Sequence, residues 1–154
     1  MNSLRRILFV CYGNICRSPM AESIMKDLLK RRGLEDGFEI ASCGTGAEEL
    51  GNPVYPLAKA ELARHGICCA GKTAVRIKPQ DYEKFDLLIA LDSRNAQSIR
   101  SMTGGDPKGK VRMMMEHTAR GGDVDDPWYT RRFDIAYRDI LEGCEGWFAR
   151  FTAE

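Results

Sequence analysis

The sequence places a cysteine, an arginine and a serine within one short loop near its start. The stretch VCYGNICRSP runs from Val10 to Pro19, and Arg17 follows Cys11 by six residues. A thiolate is a nucleophile, a guanidinium binds two phosphate oxygens at once, and glycine and asparagine allow a tight turn. These residue types at this spacing predict nucleophilic attack by Cys11 on a bound phosphate group, with a phosphocysteine intermediate that water then hydrolyses.

The loop itself is expected to hold the phosphate. It can turn successive backbone N–H groups inward, and the helix predicted to start at Ser18 adds its free N–H groups and the positive end of its dipole. A tetrahedral anion fits such a cradle. The same groups favour the thiolate form of Cys11, and the Ser18 hydroxyl can donate to its sulfur. The expected phosphate-binding residues are Tyr12, Gly13, Asn14, Ile15, Cys16, Arg17 and Ser18.

A second loop, which reads DVDDPWY, offers a general acid for the leaving oxygen. Pro127 stiffens this loop and biases Asp126 toward extended backbone. The rings of Trp128 and Tyr129 can hold an aromatic substrate, and apolar rings favour the protonated form of a nearby acid. Asp126 is therefore the best candidate acid. Spacing alone leaves two other carboxylates open, those of Asp123 and Asp125.

Strands that alternate with helices are expected to position both loops. Short apolar runs predict strands at 6–11, 38–44, 85–91 and 111–115. Helical signals predict helices from Ser18 toward Gly33, from Leu57 to His65, from Ser93 to about Met102 with Asp92 as its cap, and from about Phe133 onward. This alternation predicts a parallel α/β sheet with crossover helices. Ligands of such sheets bind beyond the carboxyl ends of the strands, where Cys11 lies.

Length and composition narrow the class of protein. The 154 residues suggest one domain, and an apolar fraction of 44% with a charged fraction of 29% is typical of a soluble globular protein. The net charge of +1 gives no large field of one sign, so neither a nucleic acid nor a membrane surface is an expected partner.

The cysteines and histidines argue against disulfide and metal sites. The chain is large enough not to need disulfide bonds, so its six cysteines indicate a reducing, cytoplasmic setting with mostly free thiols. The two histidines, His65 and His117, lack a ligand set, so no metal is expected. Arg131 and Arg132 are expected on a solvated helix face.

The two loops together resemble those of the low-molecular-weight protein tyrosine phosphatases. The likeness rests on VCYGNICRSP and on the distant Asp-Pro-Trp-Tyr, and it extends to Gly51-Asn52-Pro53, His65-Gly66-Ile67 and the segment 85–92. It covers nearly the whole chain, residues 1–154, as one phosphatase domain. The resemblance implies a four-stranded parallel sheet flanked by helices on both faces, in a flavodoxin-like three-layer arrangement. It also implies hydrolysis of phosphotyrosine and aryl phosphate monoesters without metal or cofactor.

The resemblance also implies roles for individual residues. By this likeness Cys11 is the nucleophile, Arg17 holds the phosphoryl group and Asp126 is the general acid. Cys16 matches a second loop thiol that can form a reversible disulfide with the nucleophile under oxidation. The residues that match the network fixing the loop are Asn14, Ser18 and Ser42. The implied partner is a phosphotyrosine-containing protein or peptide, and the implied state is a monomer or weak dimer.

The chain departs from the family pattern at two places near the site. Lys72 stands where the family often has a histidine that joins the loop network. Glu48, followed by Glu49, stands where the family often has an aromatic residue at the pocket mouth. Tyr12 is expected to replace part of that aromatic wall. The two glutamates are expected to favour substrates with basic residues near the phosphotyrosine. The expected pocket wall is Tyr12, Glu48, Trp128 and Tyr129.

Three other functions fit parts of the pattern. Phosphoarginine phosphatases of the same fold tend to carry threonine where this chain has Ile15, whose apolar side chain suits a tyrosine ring. Arsenate reductases need two further redox cysteines spaced several residues apart, whereas Cys68 and Cys69 are adjacent. Cysteine phosphocarrier domains, which are not hydrolases, need neither Arg17 nor a general acid. Phosphotyrosine hydrolysis is the function that the whole pattern favours.

Overall fold

A computed structural model describes residues 4–153, and its centre is a four-stranded parallel sheet. The strands are β1 (Arg5–Cys11), β2 (Phe38–Gly44), β3 (Leu87–Ala90) and β4 (Val111–Met113), in the order β2-β1-β3-β4. The sheet confirms the predicted fold class. β3 is shorter than the predicted 85–91. At its start, Phe85 is the C-terminal cap of the preceding helix, and Asp86 bonds to the backbone of Arg6 in β1 through its own N–H and its carboxylate.

Six α-helices connect and cover these strands. They are α1 (Arg17–Arg31), α2 (Pro56–Arg64), α3 (Pro79–Lys84), α4 (Ser93–Met102), α5 (Pro127–Thr130) and α6 (Phe133–Phe151), with a 3-10 turn at Glu35–Gly37. The sequence pattern predicts neither α3 nor α5, because six and four residues are too few to show a helical period. α1 begins at Arg17, one residue before the predicted start, and Ser18 makes no capping bond because its hydroxyl faces Cys11.

Helices cover both faces of the sheet, and alternate residues of β1 face the two layers. Ile7 and Phe9 pack into the larger core with α1, α2 and α6, whereas Leu8 and Val10 pack into the smaller core with α3 and α4. All four side chains are at most 2% exposed, as expected for a central strand buried on both faces. The apolar run RILFVC is therefore explained by its position in the middle of the sheet.

The order of the strands places a crevice at the carboxyl end of β1. From β1 the chain goes first to β2 on one side and later to β3 on the other, so β1 lies at the point where the strand order reverses. Cys11 is the last residue of β1 and pairs with Gly44, the last residue of β2. Loops that leave a sheet at such a point diverge and leave room for a ligand.

The last helix, α6, closes the larger core. It runs for 19 residues and turns a buried stripe that includes Ile140, Cys144 and Trp147 toward the sheet side. Charged residues of the same helix, such as Arg138 and Glu142, lie in the outer layer. Between residues 4 and 153 the structure contains no helix long and apolar enough to cross a membrane.

Candidate active site

The loop between β1 and α1 makes a tight turn around the sulfur of Cys11. Asn14 has a φ of 59°, the left-handed conformation that asparagine adopts more readily than most residues. Gly13 does not adopt a positive φ, so Asn14 is the residue whose left-handed backbone makes the turn. The Asn14 side chain accepts a hydrogen bond from the N–H of Val75 at 3.0 Å, which ties the turn to the neighbouring segment.

The carbonyl groups of this loop point outward into the surrounding backbone. Those of Cys11, Tyr12 and Ile15 accept bonds from the N–H groups of Thr45, Gly46 and Tyr55 at 2.9, 3.0 and 2.8 Å. The N–H of Asn14 points to the Cys11 sulfur at 3.3 Å. The N–H groups of the other loop residues find no acceptor within the part of the chain that is described; these are Tyr12, Gly13, Ile15, Cys16, Arg17 and Ser18. Backbone N–H groups left without a partner at a helix start form a binding site for an anion.

Hydrogen-bond donors surround the Cys11 sulfur itself. Cys11 is only 3% exposed, and the Ser18 hydroxyl lies 2.9 Å from its Sγ atom. Together with the N–H of Asn14, the hydroxyl supplies two donors to a thiolate in this position.

Side chains behind the loop form a network that fixes these donors. The Asn14 amide donates to the hydroxyls of Ser18 at 2.8 Å and Ser42 at 3.0 Å. Ser42 in turn donates to the buried carboxylate of Glu22 at 2.6 Å. Lys72 closes the network, because its ammonium donates to the Ser42 carbonyl at 2.9 Å and lies 3.8 Å from Glu22. Burial lowers the pKa of Lys72, and the Glu22 charge opposes that shift.

Arg17 is held in one orientation at the rim of the loop. It is 3% exposed, and its Nη1 donates to the Asp92 carboxylate at 2.7 Å and to the Val124 carbonyl at 2.8 Å. Burial alone lowers the pKa of the guanidinium, but the facing Cys11, Asp92 and Asp126 outweigh burial and raise it. Nε and Nη2 donate no hydrogen bond to any residue that the structure describes, so both are available to an anion in the loop.

Asp92 is a functional residue that the sequence indicates only as a helix cap. One oxygen of its carboxylate accepts from the N–H of Asn95 at 2.8 Å and caps α4, while the other accepts from Arg17. The signal available in the sequence was its place just beyond β3, a strand that lies beside β1. Parallel neighbours end at the same edge of a sheet, so a polar residue there lies near the loop after β1.

The structure separates the three aspartates of the second loop. Asp126 lines the pocket, and its Oδ2 lies 3.6 Å from Nη2 of Arg17. Its other oxygen accepts from the N–H of Trp128 at 3.0 Å. Asp123 instead bonds to the N–H and the hydroxyl of Ser93 at 2.9 and 3.0 Å, and Asp125 does not line the pocket. Asp126 is therefore the one of the three that faces a ligand bound in the loop.

The pocket above the loop has a volume of about 300 Å³, with the loop residues as its floor. Its walls include Tyr12, Glu48, Trp128 and Tyr129. Tyr12 is 51% exposed and donates its hydroxyl to Glu48, so the two side chains form a bonded pair at the mouth. Tyr129 is 80% exposed, so most of its side chain faces solvent at the mouth. Within residues 4–153, no cluster of His, Cys, Asp and Glu could hold a metal ion.

Cys16 lies in the same loop as Cys11 but in a different environment. It is buried, and burial, the neighbouring Cys11 and Asp126 raise the pKa of its thiol to about 12. All six cysteines are unpaired in the structure. At neutral pH the Cys16 side chain is therefore a neutral thiol.

Arg131 is exposed, as the sequence suggested, but it lies at the C-terminal cap of the short helix α5 and not on a helix face. Its φ is 60°, and its guanidinium lies 5.5, 5.9 and 5.6 Å from the ring centres of Tyr55, Trp128 and Phe133. It also donates to the Tyr55 hydroxyl at 2.9 Å. Because the N–H of Tyr55 bonds to the Ile15 carbonyl, Arg131 connects the acid-bearing segment to the phosphate loop.

Comparison with known proteins gives consistent matches along the chain. The sequence model of the family "Low molecular weight phosphotyrosine protein phosphatase" matches residues 6–154. The low molecular weight protein-tyrosine-phosphatase YfkJ of Bacillus subtilis is 39% identical to this chain over 150 residues, which cover 96% of both chains. The phosphatase PtpA of Staphylococcus aureus strain MRSA252 is 36% identical over 140 residues, which cover 90% of this chain and 88% of PtpA.

Solved structures show the same fold. The crystal structure of B. subtilis YfkJ superposes with a TM-score of 0.96 at 38% identity and covers 99% of this chain and 97% of its own. A Drosophila arginine phosphatase superposes with a TM-score of 0.87 at 29% identity, covering 95% and 97%. The fold is thus shared by phosphatases that are named for different substrates, tyrosine and arginine.

Proposed function

The chain belongs to the low molecular weight phosphotyrosine protein phosphatase family, and we propose that it hydrolyses phosphotyrosine monoesters through a phosphocysteine at Cys11. The observation that carries this proposal is the set of loop N–H groups without an acceptor, which lie in the same loop as the Cys11 sulfur and the guanidinium of Arg17. This arrangement places a nucleophile at the base of a site for a tetrahedral dianion.

The first chemical step transfers the phosphoryl group to the enzyme. The loop N–H groups and Arg17 hold the three non-bridging oxygens and balance the charge that spreads over them. The Cys11 sulfur attacks phosphorus in line, so that a sulfur–phosphorus bond forms while the bond to the phenolic oxygen breaks. Asp126 gives its proton to that oxygen, and tyrosine leaves as the neutral phenol.

The second step returns the enzyme to its starting form. Asp126, now a carboxylate, takes a proton from a water molecule as that water attacks the phosphocysteine. The sulfur–phosphorus bond breaks, and the electron pair stays on Cys11 as the thiolate. The hydroxyl of Ser18 stabilises this leaving thiolate, and inorganic phosphate departs. Water is the only co-reactant that the cycle consumes.

The pocket supports tyrosine as the preferred group over arginine. Trp128 and Tyr129 provide aromatic walls, and Ile15 places an apolar side chain in the floor. Flat apolar walls gain free energy from stacking on a phenyl ring. Turnover of phosphotyrosine, phosphoserine and phosphoarginine, measured side by side with arsenate reduction as a further control, tests this choice; a higher kcat/KM for phosphoarginine would overturn it.

Asp126→Asn tests the proton donor. The variant is expected to lower kcat/KM, which excludes the second step, by about 10²- to 10⁴-fold for phenyl phosphate and by far less for p-nitrophenyl phosphate, whose leaving group needs little protonation. Asp123→Asn is the matched control, because Asp123 bonds to Ser93 instead of facing the pocket. If Asp126→Asn slowed both substrates equally, another residue would be the acid.

The same proposal covers the domain and its compartment. We propose that residues 1–154 act as one phosphatase domain, since the family match runs from 6 to 154 and both cores share a single sheet. A reducing compartment such as the cytoplasm suits an enzyme whose nucleophile must stay a free thiolate. Fractionation of cells that express the tagged protein tests this placement.

A further inference from the structure

A second depression adjoins the catalytic pocket. It has a volume of about 940 Å³ and is lined by the segment after β2, the segment 76–79 and the exposed side of α4. Tyr12 lines both this depression and the catalytic pocket, so one ring separates the two. We call this depression the arginine groove, after Arg76 and Arg94.

The lining of the arginine groove is positively charged, and among the described residues it includes no carboxylate. Arg76 and Arg94 both line it, and its other lining residues are neutral. Arg76 uses its Nε to bond the Thr45 carbonyl at 3.2 Å, which leaves both terminal nitrogens unbonded. Arg94 makes no hydrogen bond or ion pair within residues 4–153. Two guanidinium groups with free donors on one concave surface match a carboxylate or a phosphate.

Backbone contacts fix Arg76 relative to the nucleophile. Arg76 forms a parallel bridge with Gly44, the residue that ends β2 beside Cys11. Thr45, whose carbonyl receives the Arg76 side chain, donates its own N–H to the Cys11 carbonyl at 2.9 Å. The arginine groove is thus tied to the active site through main-chain hydrogen bonds, which keep its position relative to a bound substrate constant.

The mouth of the catalytic pocket carries negative charge. Glu48 and Glu49 line that pocket, and Glu48 accepts a hydrogen bond from Tyr12, the ring shared with the arginine groove. An extended peptide advances about 3.3 Å per residue, so side chains within three residues of a phosphotyrosine reach about 10 Å from it. A peptide whose phosphotyrosine occupies the catalytic pocket can therefore extend past Tyr12 and place a nearby side chain in the arginine groove.

We propose that the arginine groove binds an anionic side chain of the substrate, a carboxylate or a second phosphate, that lies within three residues of the phosphotyrosine. This inference rests on the proposed function, because it assigns the groove to the same substrate. The positive charges of Arg76 and Arg94 orient the peptide, with its anionic side chain over the groove.

Peptide kinetics test this assignment. Phosphotyrosine peptides that differ only in one residue, Glu or Gln, at each of the three positions on either side are compared by kcat/KM. On one side of the phosphotyrosine we expect Glu to exceed Gln by about twofold to fivefold, as for an exposed ion pair. A second phosphotyrosine at the preferred position distinguishes phosphate from carboxylate as the better ligand.

Variants connect the preference to the groove. In Arg76→Gln and in Arg94→Gln the ratio of Glu to Gln rates is expected to fall toward one, whereas Arg100→Gln, on the same helix but outside the groove, keeps it. Equal rates for Glu and Gln peptides in the wild type, or a preference that survives both variants, would overturn the proposal. Failure to hydrolyse any of the peptides would instead contradict the proposed function.

Discussion

Several side chains of the site serve two structural purposes, and each does so with separate atoms. Asp92 caps α4 with one oxygen and orients Arg17 with the other. Asn14 adopts the left-handed turn, donates to Ser18 and Ser42 through its Nδ2 and accepts from Val75 through its Oδ1. Replacing such a residue therefore disturbs the loop geometry and the local fold together.

Cys16 provides a prediction at the level of one residue. Because its thiol, with a pKa of about 12, is neutral at pH 7, it does not compete with Cys11 for the phosphate. Cys16→Ser is expected to retain turnover of p-nitrophenyl phosphate within about twofold. After treatment with hydrogen peroxide, however, the variant should regain much less activity on addition of dithiothreitol than the wild type does, since Cys11 then oxidises beyond the reversible stage.

Cys68→Ser is the control for this experiment, because Cys68 is an exposed thiol outside the catalytic pocket. It should recover as the wild type does. Full recovery of Cys16→Ser after peroxide would show that Cys16 does not protect the nucleophile.

At the level of elements, the short helix α5 sets the position of Asp126. Four residues cannot hold a helix by themselves, and α5 is fixed instead by Pro127 at its start and by Arg131 at its end. Arg131 adopts a left-handed conformation, which is unfavourable for a side chain of this size, and its contacts to three rings compensate for that. Asp126, the proposed acid, is thus positioned by contacts made five residues further along the chain.

Arg131→Gly tests this positioning. Glycine adopts the left-handed conformation freely, so the variant removes the guanidinium contacts without adding strain. We expect kcat/KM for phenyl phosphate to fall by about fivefold to thirtyfold, as for a loss of about 1–2 kcal/mol, and to fall less for p-nitrophenyl phosphate. Arg132→Ala, which removes the adjacent exposed cation, should leave both rates near the wild-type values. Equal losses on both substrates would show that Arg131 acts on folding alone.

Local patterns predicted the catalytic elements well. The strand β1, its loop and the helix α1 are contiguous, so their apolar run, turn residues and helical period appear together in the sequence. The bond between Arg17 and Asp92 joins residues 75 positions apart, and the contact of Arg131 with Tyr55 joins residues 76 apart. Such contacts depend on how the strands are ordered, and no local pattern records them.

For the molecule as a whole, close packing of α6 against the segment after β4 completes the larger core. A methyl group added at Gly143 would lie 2.8 Å from both the side chain and the carbonyl oxygen of Met114. The two elements approach closely because glycine has no side chain at this contact. Met114 is fully buried, so it has little space into which to move.

Gly143→Ala is therefore expected to lower the free energy of unfolding by about 1–3 kcal/mol, even though alanine favours helix by about 1 kcal/mol. Urea unfolding followed by circular dichroism measures the change. Gly37→Ala is the control, because its added methyl group meets no atom within 4 Å. A Gly143→Ala variant as stable as the wild type would show that this contact is not tight.

The most direct test of the proposed mechanism is detection of the phosphocysteine by mass spectrometry. Asp126→Asn, mixed with p-nitrophenyl phosphate and quenched in acid, should gain the mass of one phosphoryl group, located by proteolysis on the peptide that contains Cys11. Cys11→Ser, which should still bind phosphate but not turn over substrate, should gain none. Continued turnover without an adduct, or an adduct on any residue other than Cys11, would contradict the mechanism.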